Sequence, residues 1–104
     1  MFGSGVKSIT VQELENRLKA GKPVLLDVRE AHEFKEGHVP GARNVPLAGL
    51  AAEAARLDPH AETLVICRSG RRSAAAVKQL VRAGFTDVHT VKDGTLAWPG
   101  KLRR

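Results

Sequence analysis

Two short apolar runs, separated by polar segments, dominate the hydrophobic pattern of this chain. They cover residues 24–28 (Val-Leu-Leu-Asp-Val) and 63–66 (Thr-Leu-Val-Ile). Nearly continuous apolar runs of this length are typical of strands buried on both faces of a parallel sheet. Residues 87–91 form a third candidate strand, and residues 8–10 and 42–45 are shorter flanking candidates.

Helical patterns lie between these candidate strands. The capping-box pattern Thr10-x-x-Glu13 predicts a helix that ends at Gly21. An alanine-rich helix is predicted over residues 47–57, and a strongly amphipathic one over residues 73–83, just before Gly84. Alternation of strands with helices predicts an α/β fold in which an open parallel β-sheet is flanked by helices on both faces.

The length of 104 residues predicts a single domain over residues 1–104. We expect its core at about residues 8–99, with residues 1–7 and 100–104 as flexible ends. No apolar stretch approaches the ~20 residues needed to cross a bilayer, and the first residues lack the apolar segment of a signal peptide. We therefore expect a soluble protein with no membrane partner, and we expect it to be a monomer. The expected location is cytoplasmic. This location is only the default, because a signal peptide that had already been removed would leave no trace in the sequence.

The formal net charge of +6 raises the possibility of nucleic-acid binding. The basic residues are scattered along the chain, however, and the sequence has no tyrosine and few other aromatic residues on which bases could stack. We therefore predict no nucleic-acid partner. The basic residues near residue 67 are better explained by the binding of a small anion.

The single cysteine, Cys67, stands where the 63–66 run ends and a cationic loop begins. A loop that enters a helix directs several backbone N–H groups at one point, and Gly70 allows the sharp bend that this requires. A thiol in such a nest, followed by three arginines, should have a lowered pKa and react as a thiolate. The alternative for a lone cysteine is an inert residue of the apolar core.

Three motifs of the chain together resemble the rhodanese-type sulfurtransferases. They are Cys67-Arg68-Ser69-Gly70-Arg71-Arg72-Ser73, the stretch Leu26-Asp27-Val28-Arg29-Glu30 with Glu33-Phe34, and residues 37–47 (Gly-His-Val-Pro-Gly-Ala-Arg-Asn-Val-Pro-Leu). A weaker match covers residues 94–98, where Asp93 replaces a glycine that is usual in the family and puts the shape of this loop in doubt. The resemblance extends from about Ile9 to Trp98.

This resemblance implies that Cys67 is the catalytic residue and carries a persulfide. It implies that an anionic donor such as thiosulfate supplies the sulfur, and that cyanide, a thiol, thioredoxin or a sulfur-carrying protein accepts it. No metal or organic cofactor is expected. Substrate binding is assigned to the loop after the cysteine: Arg68, Ser69, Gly70, Arg71, Arg72 and Ser73.

Asp27 ends a buried strand, where a carboxylate needs a partner. A structural pair with Arg29 or Arg43 is favoured over a role as general base, and we assign Asp27 and Arg29 to structural support of the site. His38 is interpreted as a residue that fixes its loop, although a Cys–His catalytic pair stays possible. Trp98 is interpreted as a core anchor, with the rim of the site as the alternative.

Two other functions stay open at the level of sequence. A cysteine phosphatase or arsenate reductase uses similar thiolate chemistry, but those phosphatases have five residues between cysteine and arginine, whereas four separate Cys67 from Arg72. A persulfide carrier or sensor module that acts only with a partner protein is the second alternative. Domain identity does not decide between such roles.

Overall fold

The computed structural model describes residues 6–104, which contain a five-stranded parallel sheet. Its strands lie in the order β1-β5-β4-β2-β3. Their bounds are β1 Ser8–Ile9, β2 Val24–Asp27, β3 Arg43–Asn44, β4 Thr63–Ile66 and β5 Val88–Val91. All four neighbouring pairs are parallel, which confirms the predicted fold class and places each strand within one of the predicted segments.

Four α-helices connect the strands in the described part of the chain: α1 Val11–Ala20, α2 Ala31–Glu36, α3 Leu50–Ala54 and α4 Arg71–Arg82. Thr10 caps α1 as predicted, since its Oγ1 accepts a hydrogen bond from the Glu13 N–H at 3.1 Å. The helix predicted over residues 47–57 is shorter, with a 3₁₀ turn at Leu47–Gly49 before α3. A second 3₁₀ turn, Thr95–Ala97, follows β5.

The helix α2 was not predicted from the sequence, because it has no buried residue and so no apolar periodicity. A usable signal was the pair Glu30 and Glu33, which form a capping box at its N-terminus. The helix α4 begins at Arg71, two residues before the predicted start at Ser73. This shift brings the start of α4 directly after Gly70.

The two faces of the sheet bury separate apolar cores because side chains of a strand alternate between faces. Leu25, Leu64 and Ile66 pack on the face covered by α1. Leu26, Val65 and Cys67 pack on the face covered by α3 and α4. Cys67 thus continues the alternation of β4 and lies on the α4 side of the sheet.

A buried ion pair follows the end of β2. Arg29 donates from Nη2 to Asp27 Oδ2 at 2.8 Å and from Nε to Oδ1 at 3.0 Å, and it also donates to the Gly37 carbonyl at 2.7 Å. Of the two partners considered for Asp27, Arg29 is therefore the one found, while Arg43 pairs with Glu53 at the surface. The pair ties β2 to the segment that follows α2.

We expect Arg29→Ala to lower the free energy of unfolding by about 3–5 kcal/mol, because it leaves the Asp27 carboxylate buried without its counter-charge. Urea denaturation measures this loss. The matched control is Arg43→Ala, which removes an exposed ion pair and should cost no more than about 1 kcal/mol. Equal losses in the two variants would contradict the structural role assigned to the buried pair.

Both ends of the described chain make backbone contacts with the sheet or its connections. The Lys7 carbonyl accepts a hydrogen bond from the Thr90 N–H at 2.9 Å, and Arg103 exchanges two backbone hydrogen bonds with His38 at 2.7 and 2.8 Å. The segment expected as a flexible end is thus paired at Arg103, although the side chains of residues 101–104 are exposed. Residues 1–5 of the other expected flexible end lie outside the described residues.

His38 fixes its loop, as predicted. Its ring stacks on that of Phe34 with 3.7 Å between ring centroids, and its Nδ1 lies 2.9 Å from the Phe34 carbonyl oxygen. Its backbone pairs with Arg103 as described above. These contacts hold the turn after α2 against the C-terminal segment.

Candidate active site

Cys67 lies at the carboxyl edge of the sheet, directly after the central strand β4. Cys67 is only 1% exposed to solvent. The chain then turns through residues 68–70 and enters α4 at Arg71. This is the predicted strand, loop and helix, at the edge where open α/β sheets bind their ligands.

Hydrogen-bond donors of the loop converge on the sulfur of Cys67. Sγ accepts from the N–H of Gly70 at 3.1 Å and from the N–H of Ser73 at 3.3 Å. The Ser73 hydroxyl oxygen lies 3.5 Å from Sγ. The loop therefore forms an anion-binding nest whose occupant is the cysteine sulfur itself.

The Ser73 hydroxyl links this nest to the neighbouring strand. Its oxygen lies 2.6 Å from Oγ1 of Thr90 on β5 and 3.1 Å from the Gly70 carbonyl oxygen. When Cys67 is a neutral thiol, its S–H can donate to Ser73. When Cys67 is a thiolate, the Ser73 hydroxyl can turn its proton to the sulfur and accept from Thr90 in exchange.

Two opposing effects set the pKa of the Cys67 thiol. Burial raises this pKa, but hydrogen bonds from the Ser73 side chain and from the backbone N–H groups of Ser73, Gly70 and Ser69 outweigh it. The pKa therefore lies below that of an ordinary cysteine, as the sequence predicted. The thiolate is the reactive form, so the geometry favours a nucleophilic Cys67.

Two glycines let the chain after β5 pack against this loop. Gly70 has φ +102°, and a Cβ there would lie 2.2 Å from the Lys92 carbonyl oxygen. Gly94 has φ +72°, and its Cβ would lie 2.2 Å from the Arg68 carbonyl oxygen. That carbonyl accepts from the Leu96 N–H at 3.2 Å. No larger residue fits at either position without displacing the nest.

The replacement of a glycine by Asp93 leaves this contact intact. Asp93 is exposed, and in the described residues positive φ values occur only at glycines. Gly94 alone supplies the positive φ and the close approach. The doubt about this loop is therefore resolved in favour of a shape that braces the nest.

The three arginines after Cys67 have different roles. Arg72 forms a two-fold ion pair with Glu33 of α2, with Nη1–Oε1 at 2.6 Å and Nη2–Oε2 at 3.1 Å. Arg68 and Arg71 are exposed, and neither has an ion pair within residues 6–104. The sequence did not distinguish the three arginines, and Glu33 was not predicted as a site residue, although it belongs to one of the motifs that resemble the family.

The Arg72 guanidinium lowers the pKa of the Glu33 carboxyl from 4.5 to about 2, and the same hydrogen bonds raise the pKa of Arg72. Glu33 Oε1 also accepts from the Glu30 N–H at 2.9 Å. One carboxylate therefore connects the N-terminus of α2 with the N-terminus of α4. Through Arg72 it holds the first turn of α4, where Ser73 donates to the sulfur.

We expect acid to remove the stabilisation that Glu33 provides. Because folding lowers its pKa from 4.5 to about 2, its contribution is complete above about pH 5 and is lost as the pH falls towards 2. Urea midpoints of the wild type and of Glu33→Gln, measured across this range, should differ most at neutral pH and converge in acid. A difference that stays constant with pH would show that the charge of Glu33 contributes nothing.

The structure places Trp98 in the core. Trp98 is partly buried and packs against the core on the α1 side, which confirms its interpretation as a core anchor.

Within residues 6–104 no group of three or more His, Cys, Asp or Glu side chains is arranged to hold a metal ion. In the same range no helix is long and apolar enough to cross a membrane.

Two curated proteins are clearly similar to this chain in sequence. GlpE of Pseudomonas putida, a thiosulfate sulfurtransferase, is 39% identical over 87 residues, covering 84% of this chain and 78% of GlpE. YrkF of Bacillus subtilis, named for a proposed role as a sulfur carrier, is 32% identical over 99 residues. The chain spans 54% of the length of YrkF, and 94% of this chain is covered.

A solved structure and a family profile give the same result. The rhodanese-like domain protein of Staphylococcus aureus superposes with a TM-score of 0.84 at 34% identity, covering 94% of this chain and 97% of that chain. The profile of the rhodanese-like domain matches residues 10–101, which include Cys67 and the loop that follows it. The chain therefore belongs to the rhodanese-like domain family.

Proposed function

We propose that this protein is a sulfurtransferase that moves sulfane sulfur through a persulfide on Cys67. The observation that supports this most directly is the pair of backbone donors to Sγ, Gly70 N–H and Ser73 N–H, with the Ser73 hydroxyl oxygen 3.5 Å from the sulfur. Fixed donors around a sulfur anion stabilise the nucleophile before reaction and the leaving thiolate after it. They need no reorganisation between the two steps.

In the first step the Cys67 thiolate attacks the outer sulfur of thiosulfate. An S–S bond forms between Sγ and that sulfur, while the sulfur–sulfur bond of thiosulfate breaks and its electron pair leaves on sulfite. Cys67 then bears a persulfide anion. No proton is transferred in this step when the thiol enters already ionised, which its lowered pKa favours.

In the second step an acceptor nucleophile attacks the outer sulfur of the persulfide. Cyanide gives thiocyanate and a thiol gives a new persulfide, and in both cases Cys67 leaves as a thiolate. The loop N–H groups receive this returning charge. The chemistry requires no external oxidant or reductant, since the sulfur passes between nucleophiles with its electron count unchanged.

The three arginines after Cys67 have different roles in this reaction. Arg72 is committed to Glu33, so its charge serves mainly to hold α4 in place. Arg68 and Arg71 are the exposed cations beside the cysteine and attract the anionic donor.

Two alternatives are weaker. A phosphatase needs a cradle for a tetrahedral phosphate, whereas here the nest is occupied by Sγ and is one residue shorter than in the phosphatases compared above. The second alternative is a carrier module. Its support is the likeness to YrkF, which is nearly twice as long as the matched region. A carrier would accept sulfur on Cys67 but release it only to a specific partner.

Turnover with two donors tests the proposal. The purified protein is given thiosulfate or glutathione persulfide, with cyanide as acceptor, and thiocyanate is measured. Multiple turnovers with either donor support a sulfurtransferase, and the faster donor identifies the preferred substrate. A single turnover with no further release indicates a carrier. Hydrolysis of an aryl phosphate that exceeds sulfur transfer would overturn the proposal.

We expect Arg68→Ala and Arg71→Ala to raise the KM for thiosulfate several-fold, with a smaller effect on kcat, because they remove charge that attracts the donor. The rate of the wild type should fall as salt is added. Arg82→Ala is the matched control, since Arg82 is an exposed arginine at the far end of α4. A rate that does not depend on salt in any of these proteins would contradict the role of the arginines.

A further inference from the structure

An exposed leucine stands beside the active-site loop. Leu96 is 63% exposed, the most exposed large apolar residue in the described part of the chain, and its N–H donates to the Arg68 carbonyl at 3.2 Å. Its position is therefore fixed relative to Cys67. The core does not use this side chain, and beside a charged loop it can serve as the apolar part of a contact with another protein.

Unpaired positive charge surrounds the same loop. Arg68, Arg71 and Lys92 are exposed and have no ion pair among residues 6–104, whereas the charge of Arg72 is balanced by Glu33. Asp93 is the acidic residue of this segment and is also exposed. Cations remain in excess at this edge, and an apolar residue with a charged rim is the usual composition of a protein-binding patch.

We propose that Leu96, Arg68, Arg71 and Lys92 form a docking surface for an extended, acidic, cysteine-bearing segment of the protein that accepts the sulfur. This inference rests on the proposed function, and it names the chemical class of the acceptor. We call these four residues the acceptor surface.

An extended segment is required because of the depth of the sulfur. Cys67 is 1% exposed, so the acceptor must project its own thiol into the loop to reach the persulfide. Carboxylates in that segment match the unpaired cations, and an apolar residue next to its cysteine covers Leu96. A small hydrophilic thiol such as glutathione would make no use of an exposed leucine.

The reaction at this surface balances without a further reagent. The acceptor cysteine enters as a thiolate, after giving its proton to solvent, and attacks the outer sulfur of the Cys67 persulfide. A bond forms between the acceptor sulfur and this outer sulfur, the bond between the outer sulfur and Sγ breaks, and Cys67 leaves as a thiolate. The product is a persulfide on the acceptor segment.

Single-turnover transfer to synthetic peptides tests the acceptor surface. The protein is loaded with sulfur beforehand, and two peptides are compared, each with a central cysteine flanked by leucines and with either glutamates or lysines at the outer positions. We expect the glutamate peptide to react about 10-fold faster at low ionic strength. This ratio should fall towards one near 1 M salt, where the screening length is only about 3 Å.

Two sets of variants, each with its own control, show which residues cause the effect. The charge reversals Arg68→Glu and Arg71→Glu should reduce or invert the preference for the glutamate peptide, whereas Arg82→Glu should leave it unchanged. Leu96→Ser should slow transfer to the glutamate peptide several-fold while leaving transfer to cyanide intact. Val81→Ser is its matched control, because Val81 is 51% exposed on α4 and lies outside the acceptor surface.

The outcomes separate this inference from the proposed function. Normal transfer to cyanide with no preference between the peptides, or with glutathione as fast as the glutamate peptide, would overturn the acceptor surface and leave the sulfurtransferase standing. Failure to form a persulfide or to transfer sulfur to cyanide would overturn the proposed function itself.

Discussion

Replacing Cys67 with serine is expected to abolish sulfur transfer. In the wild type, thiosulfate should add the mass of one sulfur atom, and cyanide should remove it again. The variant should show neither change, because the chain contains no second thiol that could take over. Mass spectrometry of the intact protein measures the adduct, and thiocyanate formation measures turnover.

The substitution should leave the fold in place, since serine differs from cysteine by one atom and can keep the hydrogen bonds of the nest. A circular dichroism spectrum and urea midpoint close to those of the wild type provide the control. Modification of wild-type Cys67 by iodoacetamide should block the adduct in the same way. A Cys67→Ser protein that still formed thiocyanate would exclude Cys67 as the sulfur acceptor.

Lengthening the loop by one residue is expected to have the next largest effect on activity. In the wild type the N–H groups of Gly70 and Ser73 lie 3.1 and 3.3 Å from Sγ. A glycine inserted after Gly70 moves these two donors apart. Reactive geometry tolerates displacements of only a fraction of an ångström, so sulfur transfer should fall by about 10²-fold. The loss should appear in kcat, since the donors act on the sulfur rather than on free thiosulfate.

A second insertion provides the control for this loop. A glycine inserted after Gly84, at the opposite end of α4, also lengthens a turn, and Gly84 has open space around it. Sulfur transfer in this variant should stay close to that of the wild type. The loop insertion also gives Cys67 and Arg72 the spacing of the phosphatases, so hydrolysis of a small aryl phosphate is measured in parallel. Undiminished sulfur transfer after the insertion at Gly70 would show that the nest does not support the reaction.

The sequence carried most of the information about the fold because the sheet is built from local patterns. Residues 24–28 and 63–66 became the strands β2 and β4, and Thr10 capped α1. The helix α2 was missed because a short helix without buried residues has no periodic signal. The segment 47–57 was expected as one helix, but its first turn is 3₁₀ and α3 ends at Ala54.

By itself, the sequence determined the nest around Cys67. Its donors, Gly70 N and Ser73 N, are within six residues of the sulfur, so a strand followed by a short glycine-containing loop and a helix is enough to bring them together. Local geometry of this kind follows from residue types and backbone sterics. Even the lowered pKa of Cys67 could be predicted from it.

Only the tertiary structure decided which of the three arginines is paired and what braces the loop. Glu33 pairs with Arg72, which is 39 residues further along the chain. The two meet because α2 follows β2 and α4 follows β4, and β2 and β4 are neighbours in the sheet. Gly94 and Leu96 meet the Arg68 carbonyl because β5 lies on the other side of β4. Such contacts depend on the order of strands in the sheet, and no pattern within a single segment encodes that order.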